Sequence, residues 1–199
     1  AEIARLTGLS AQTVSVIMRA LEAEGLLKKG EPVRGKVGQP SVPMSLVKTG
    51  AYFLGLKVGR RSLDLVLTNF EGQIEHRARL THRYPTPDGV VAFANRSIAE
   101  LLAKLPAKHQ KRVAGLGIAI PFRLWDWAKP LGVDAAAMAD WRHRDIASDI
   151  AAQWEFPVYL RNDASAACGA ELVFGDQNRP RDFLYFFIGF FVGGGLVLD

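Results

Sequence analysis

The sequence predicts an α/β protein of two units: a winged helix-turn-helix over residues 1–48 and a larger domain of alternating strands and helices over residues 49–199. Three observations predict it. The N-terminal stretch carries apolar residues at helical spacing, interrupted by glycines where a helix must stop. A basic, Gly- and Pro-rich stretch then ends in alternating apolar residues. Beyond residue 50, short strand-like runs alternate with amphipathic ones, the pattern of an α/β layer structure.

AEIARLTGLSAQTVSVIMRALEAEGLLKKG reads as helix, turn, helix. Ile3, Ala4 and Leu6 form the apolar side of a short first helix, and Gly8 breaks it. Ser10 is the expected N-cap of the second helix, because its hydroxyl can accept a bond from a free backbone N–H. Val14, Ile17, Met18 and Leu21 follow at i, i+3, i+4 and i+7 and predict a buried face. Gly25 is the expected left-handed C-terminal cap. The opposite face carries Ala11, Gln12, Ser15, Val16 and Arg19, small or polar side chains suited to a DNA major groove. Gln12 can bond adenine in bidentate fashion, and Arg19 is better placed for phosphate. Ser10 and Thr13, at the start of the same helix, complete the candidate DNA-reading set. An ordinary helical hairpin with a solvated face has the same spacing.

LLKKGEPVRGKVGQPSVPMSLV separates these alternatives. It predicts two short strands around a loop, a β-wing, with Lys28, Lys29, Arg34 and Lys36 as candidate phosphate contacts. The RGKVGQP tip suits a minor groove, whose negative potential attracts basic side chains. A linker with solvated charges remains the alternative. Helix, turn, helix and wing in that order point to double-stranded DNA.

In the second unit YFLGLKV, SLDLVLTNF and IEHRARLT predict three strands, with NFEG as a turn between the last two. Residues 88–105 predict a helix, VAGLGIAIP a buried strand, and residues 146–154 an amphipathic helix. FPVYLRND predicts a strand leading into the helix ASAACGAELVF. FLYFFIG and GLVL predict two strands flanking a turn made by Gly193, Gly194 and Gly195.

Composition bounds the rest. The 199 residues are 49% hydrophobic and 23% charged, a globular balance, and the net charge of +5 is compatible with a nucleic-acid partner. Cys168, the single cysteine, excludes an internal disulfide and predicts a reducing, cytoplasmic setting. It reads as a small packed residue, with no histidine near it in sequence. His76, His82, His109 and His143 show no metal-ligand spacing. Residues 183–198 are uncharged, but they are shorter than the roughly 18–20 residues of a membrane span and contain four glycines. No membrane partner is expected.

The ordered series of motifs resembles the ROK family of repressors, open reading frames and sugar kinases. LTGLSAQTVSVIMRALEAEGLL is similar to the winged helix-turn-helix of its DNA-binding members, and VGQPSVPMSL to their wing and linker. LGLKVGRRSLDLVLTNFEG falls at the first phosphate motif and GLGIAIP at the strand before the sugar site. RNDASAACGAE falls at the motif of the catalytic aspartate, and IGFFVGGGLVLD at the second phosphate motif. The resemblance implies that the second unit is part of an actin/hexokinase-like (ribonuclease H-like) ATPase fold. It also implies an incomplete chain, without the helix that opens the DNA-binding unit and without everything beyond the second phosphate motif. The missing half would hold a Glu–His sugar contact and a zinc motif, so this stretch implies no cofactor and zinc only through residues it does not contain.

Residue by residue, the resemblance argues against phosphoryl transfer. Kinases of the family place an aspartate where this chain has Lys57, and an ammonium cannot ligate Mg²⁺. Gly59, Arg60 and Arg61 follow, either a solvated basic turn or an anion-attracting cluster. Thr and Gly of the second phosphate motif are replaced by Phe190 and Phe191, which are expected to fill the space or enter the core. Lys57, Gly59 and Gly193–Gly195 are therefore expected to be vestigial phosphate loops. Asp163 stands at the relic position of the catalytic base, and its alternative role is a helix N-cap. Asn162 and Asp163 are the candidate effector-binding residues. Phe122 and Ala137 replace two other sugar contacts, while Trp125, Trp127 and Trp141 offer stacking surfaces or core bulk.

The resemblance thus implies a homodimeric transcriptional regulator, a repressor, that binds an operator and senses a sugar through a domain unable to phosphorylate. An ATP-dependent sugar kinase and an effector-insensitive DNA-binding protein are the alternatives.

Overall fold

The computed structural model describes residues 2–33, 42–176 and 178–198. The first unit opens with α1 (Glu2–Thr7) and α2 (Ala11–Ala23), joined through Gly8 at φ 68°. Ser10 caps α2 as expected, its Oγ accepting from Thr13 N at 3.0 Å. At the other end Gly25 has φ 73°, with Gly25 N bonded to Glu22 O and Leu26 N to Leu21 O. These paired bonds satisfy carbonyls that the helix itself leaves open. The chain returns through β1 (Leu27–Lys29) paired antiparallel with β2 (Met44–Leu46). The wing's strands therefore form, whereas Arg34, Lys36 and the rest of the expected tip lie outside the described residues.

The predicted burial in this unit needs correction. Only Val14 of the expected α2 stripe is buried, Ile17 is 40% exposed, and Leu6 of α1 is 70% exposed. Spacing places these residues on one side of each helix, but burial needs an opposing surface, and among the described residues α1 and β1 cover that side only in part, leaving Met18 and Leu21 half-buried.

The second unit is a mixed sheet in the order β5-β4-β3-β6-β7. Strands β3 (Tyr52–Val58), β4 (Ser62–Asn69) and β5 (Ile74–Thr81) form an antiparallel meander. Its second turn is built by Asn69, whose Oδ1 accepts from Glu71 N and Gln73 N at 3.0 and 3.1 Å, and by Gly72 at φ 78°. α3 (Pro87–Leu102), capped by Thr86 through Gly89 N, and the short α4 (Ala107–Gln110) carry the chain to β6 (Val113–Ile120), parallel to β3.

Between β6 and β7 lie a 3-10 turn (Leu124–Trp127), α5 (Ala128–Leu131), α6 (Ala136–Ala139), a second 3-10 turn (Asp140–Arg142) and α7 (Ile146–Ala151). β7 (Val158–Asn162) then runs parallel to β6. α8 (Asp163–Phe174) packs on a separate hairpin of β8 (Phe183–Ile188) and β9 (Val192–Val197).

The core sits between the sheet and α3 with α7. Leu54, Leu56, Leu65, Leu67, Leu116 and Ile118 meet Val90, Phe93, Ile98 and Ile150 there. Each such side chain contributes about 1.5–3 kcal/mol by leaving water. Trp141 is 6% exposed in this core, its Nε1 donating to Pro85 O at 2.9 Å, and Trp154 Nε1 donates to Asn95 Oδ1 at 2.9 Å. Among the described residues no helix is long and apolar enough to cross a membrane.

The glycine triplet is not a turn. Gly193, Gly194 and Gly195 lie inside β9, paired with Phe187, Phe186 and Tyr185, and the turn is Gly189–Phe191. None of the three is among the positive-φ glycines. Their need is close approach. A Cβ on Gly193 would sit 3.0 Å from the Ala164 methyl, and one on Gly195 would sit 2.6 Å from Cys168 Sγ. Bare backbone lets β9 lie against α8.

Candidate functional site

A cleft of about 850 Å³ opens where the β3–β4 turn, the N-terminus of α8 and the β8–β9 turn converge. It gathers Lys57, Gly59, Asn162, Asp163, Gly193 and Gly194 from the predicted set. Gly195 is seated behind them, against Cys168. The strand pattern explains Lys57: Tyr52, Leu54, Leu56 and Val58 point into the core, so Lys57 points out at the strand's C-terminal end.

At the start of α8 the cap is Asn162, not Asp163. Asn162 Oδ1 accepts from Ala164 N at 3.1 Å and Ser165 N at 3.4 Å. Asp163 occupies the first helical position, where its Oδ1 accepts from Ala164 N at 2.9 Å and from Asn162 Nδ2 at 3.3 Å. A carboxylate one residue inside the helix is favoured by the positive end of the helix dipole, and Asp163 lines the cleft.

The far wall is aromatic. Phe190 and Phe191 do not enter the core; they remain 51% and 48% exposed. Phe191 lies 4.9 Å from Trp127, ring centre to ring centre, and Phe190 stands edge-on to Phe191 at 4.9 Å. The Arg60 guanidinium sits 4.2 Å above the Phe190 ring. Three segments distant in sequence are thereby joined across the position where phosphate contacts were expected. Arg60 belongs to a cationic run visible in the sequence, but nothing local to it signals the partner Phe190. Arg123 is also new: its backbone is left-handed at φ 54°, and its Nε is 3.1 Å from Asp126. Phe122 beside it is 73% exposed at the cleft. Ala137 does not line the cleft; it sits in α6.

The residues expected to read DNA lie on the other unit. Ser10, Gln12, Thr13, Ser15 and Arg19 are all exposed along one helix, and Arg19 Nε donates to Ser15 O at 3.2 Å. The units are tied by Arg112, just before β6. Its Nη1 donates to Gly50 O at 2.7 Å and its Nη2 to Glu24 O, at the end of α2, at 3.0 Å. Among the described residues no group of three or more His, Cys, Asp or Glu is placed to hold a metal ion.

Two family profiles match separate stretches of the chain. The profile of the ROK family matches residues 53–199, and one described as winged helix-turn-helix DNA-binding matches residues 1–28. A xylose repressor of Caldicellulosiruptor bescii is 24% identical over 199 residues, covering 100% of this chain and 49% of its own. The chain thus spans about half the length of the curated relatives it matches. Among solved structures, a ROK family transcriptional regulator described as a homologue of the E. coli MLC protein superposes with a TM-score of 0.67 at 21% identity, covering 98% of this chain and 49% of that one. A ROK family glucokinase from Streptomyces griseus, solved with glucose and AMPPNP, gives 0.56 at 22% identity but covers only 74% of this chain and 45% of its own. The fold is therefore a winged helix-turn-helix joined to a ROK-type kinase-like domain.

Proposed function

The chain belongs to the ROK family, and from that premise we propose that it acts as a DNA-binding repressor whose kinase-like domain senses a sugar-derived effector and does not phosphorylate it. We place the boundary between the two units at residues 48 and 49. The observation that carries the reading is the winged helix-turn-helix match at residues 1–28, together with the exposed, small and polar face of α2. α2 enters the major groove with Gln12 toward a base and Arg19 toward phosphate. A homodimer would present two such helices to a palindromic operator.

The kinase-like domain lacks what phosphoryl transfer needs. A metal-binding acid and a hydroxyl-bearing phosphate loop are expected there; Lys57 and the Phe190–Phe191 pair stand in their places. Asp163, whose Oδ1 is held by Ala164 N and Asn162 Nδ2, would accept a hydroxyl of a bound effector through its other oxygen, with Asn162 beside it. Effector binding would then shift the protein between DNA-competent and DNA-incompetent states.

The test selects a binding site from random duplexes with the full-length protein and measures affinity by fluorescence anisotropy. Gln12→Ala should alter preference at one base position by about 1–3 kcal/mol. Lys36→Ala should weaken all sequences alike and reduce the salt slope by about one. If neither substitution changes binding, the groove assignment is wrong. Sugar-dependent ATP turnover by the full-length protein would overturn the non-catalytic part.

A further inference from the structure

We infer that the cleft takes an anionic sugar, a ring bearing a carboxylate or a phosphate, with Lys57 and Arg60 as its charge partners. The inference rests on the effector-sensing reading above and narrows its ligand class.

Unpartnered positive charge is the first ground. Lys57 faces Asp64 across the β3–β4 pair. Asp64 is already engaged, accepting from Ser62 Oγ at 2.9 Å and lying 3.5 Å from Arg79 Nε. Arg60 stacks on Phe190 through the face of its guanidinium, which leaves the N–H edge to fork onto a pair of oxygens. Among the described residues no carboxylate forms an ion pair with Lys57 or Arg60.

The acids of the cleft have other partners and pair with neither cation. Asp126 is 3.1 Å from Arg123 and 4.0 Å from Arg142, and Asp163 accepts from Ala164 N and Asn162 Nδ2. A neutral sugar would leave two cations beside apolar walls with water alone. An anion offsets them in a recess where field lines are concentrated.

A platform for a ring is the second ground. Phe122, Trp127 and Phe191 present aromatic surface to the cleft, suited to the apolar face of a pyranose. The left-handed backbone at Arg123, the one non-glycine residue at positive φ among the described residues, adjoins Phe122 at the cleft wall. Hydroxyl contacts fall to Asn162 and Asp163 at the α8 end, which leaves the charged substituent for the Lys57 end.

The test uses the full-length protein in thermal-shift and calorimetric titrations with D-xylose, D-glucose, D-glucuronate, D-galacturonate, glucose 6-phosphate and inorganic phosphate. At least one anionic sugar should bind with an affinity that falls as salt rises, and the neutral sugars should bind more weakly. The uronate and sugar-phosphate arms show which anion is meant. Lys57→Gln and Arg60→Gln should each weaken the anionic ligand by about 10-fold. Lys57 is exposed and Arg60 half-buried over Phe190, so far-UV circular dichroism should match the unsubstituted protein for both variants and ligand-free melting should match it for Lys57→Gln. Equal binding of neutral sugars, undiminished binding of anions by both variants, binding of inorganic phosphate alone, or no anionic sugar bound would each overturn the inference. The first of these leaves effector sensing intact. Loss of selective DNA binding in the same preparation would sink the regulator reading without touching the ligand class.

Discussion

Arg112→Ala should loosen α2 from the kinase-like domain without unfolding either. The side chain makes two bonds to backbone carbonyls, to Gly50 O at 2.7 Å and to Glu24 O at 3.0 Å. A hydrogen bond from a charged donor contributes about 1.5–3 kcal/mol when sheltered and about 0.5 kcal/mol at the surface. The Gly50 bond is half-buried and the Glu24 bond is exposed, so the pair should sum to about 2 kcal/mol. That corresponds to a roughly 30-fold change in a local opening equilibrium. Hydrogen exchange reads it directly at the amides of Glu24, Gly25 and Leu26, which bond to Ala20, Glu22 and Leu21. Their exchange should quicken by about 30-fold while the amides of β4 and β6 stay protected. The Tyr52 N–H bond to the Arg112 carbonyl is a backbone contact and should survive the substitution. Arg112→Lys should behave nearly as Ala, because one ammonium cannot reproduce the planar fork. Unchanged exchange at residues 24–26 would refute the idea that this arginine holds the units together.

Gly195→Ala should destabilise by about 1–3 kcal/mol in urea denaturation, because its methyl meets Cys168 Sγ at 2.6 Å. Pairing it with Cys168→Gly should recover part of that loss in a double-mutant cycle, and a neutral Gly195→Ala would contradict the close-approach account. His82 should make stability fall on acidification. Burial pushes its pKa below the ordinary value and the Arg61 charge adds to the shift; the Ser62 backbone opposes it, though neither ring nitrogen makes a hydrogen bond of good geometry. With the folded pKa below the unfolded one, the neutral ring's contribution is full above about 6.5 and is lost as pH falls toward the folded value. His82→Gln should therefore narrow the difference in urea midpoint between about pH 7.5 and about pH 5.5, and an unchanged difference would rule His82 out as its source.

Much of this fold was legible because its elements carry their own punctuation. Ser10, Gly25 and Asn69 with Gly72 mark ends through local bonds that a sequence displays directly. The alternation of β3 and β4 declares which side chains face the core, and so why Lys57 must point away. Two things were not legible. The four short helical turns between Leu124 and Arg142 are too brief for periodicity to register and are fixed by packing, as at Met138 and Trp141. The glycine triplet reads as a turn because glycine suits one, whereas its reason lies in Ala164 and Cys168, on a helix some thirty residues away. In the cleft, Asn162, Asp163 and Lys57 were identifiable from motif position. The Arg60–Phe190–Phe191–Trp127 contact was not, since only the fold brings those segments together.

The seating of β9 also bears on how such a domain can change its trade. The residues that shape this hairpin are Gly193 and Gly195, turned toward α8; those that set what its turn can touch are Phe190 and Phe191, turned toward the cleft. The two sets do not overlap. A lineage can therefore rewrite the turn from a phosphate grip into an aromatic clasp while the strand keeps its bed on the helix. What seats the strand is separable here from what its turn presents, so the side chains facing the cleft can be exchanged without moving the strand from its helix.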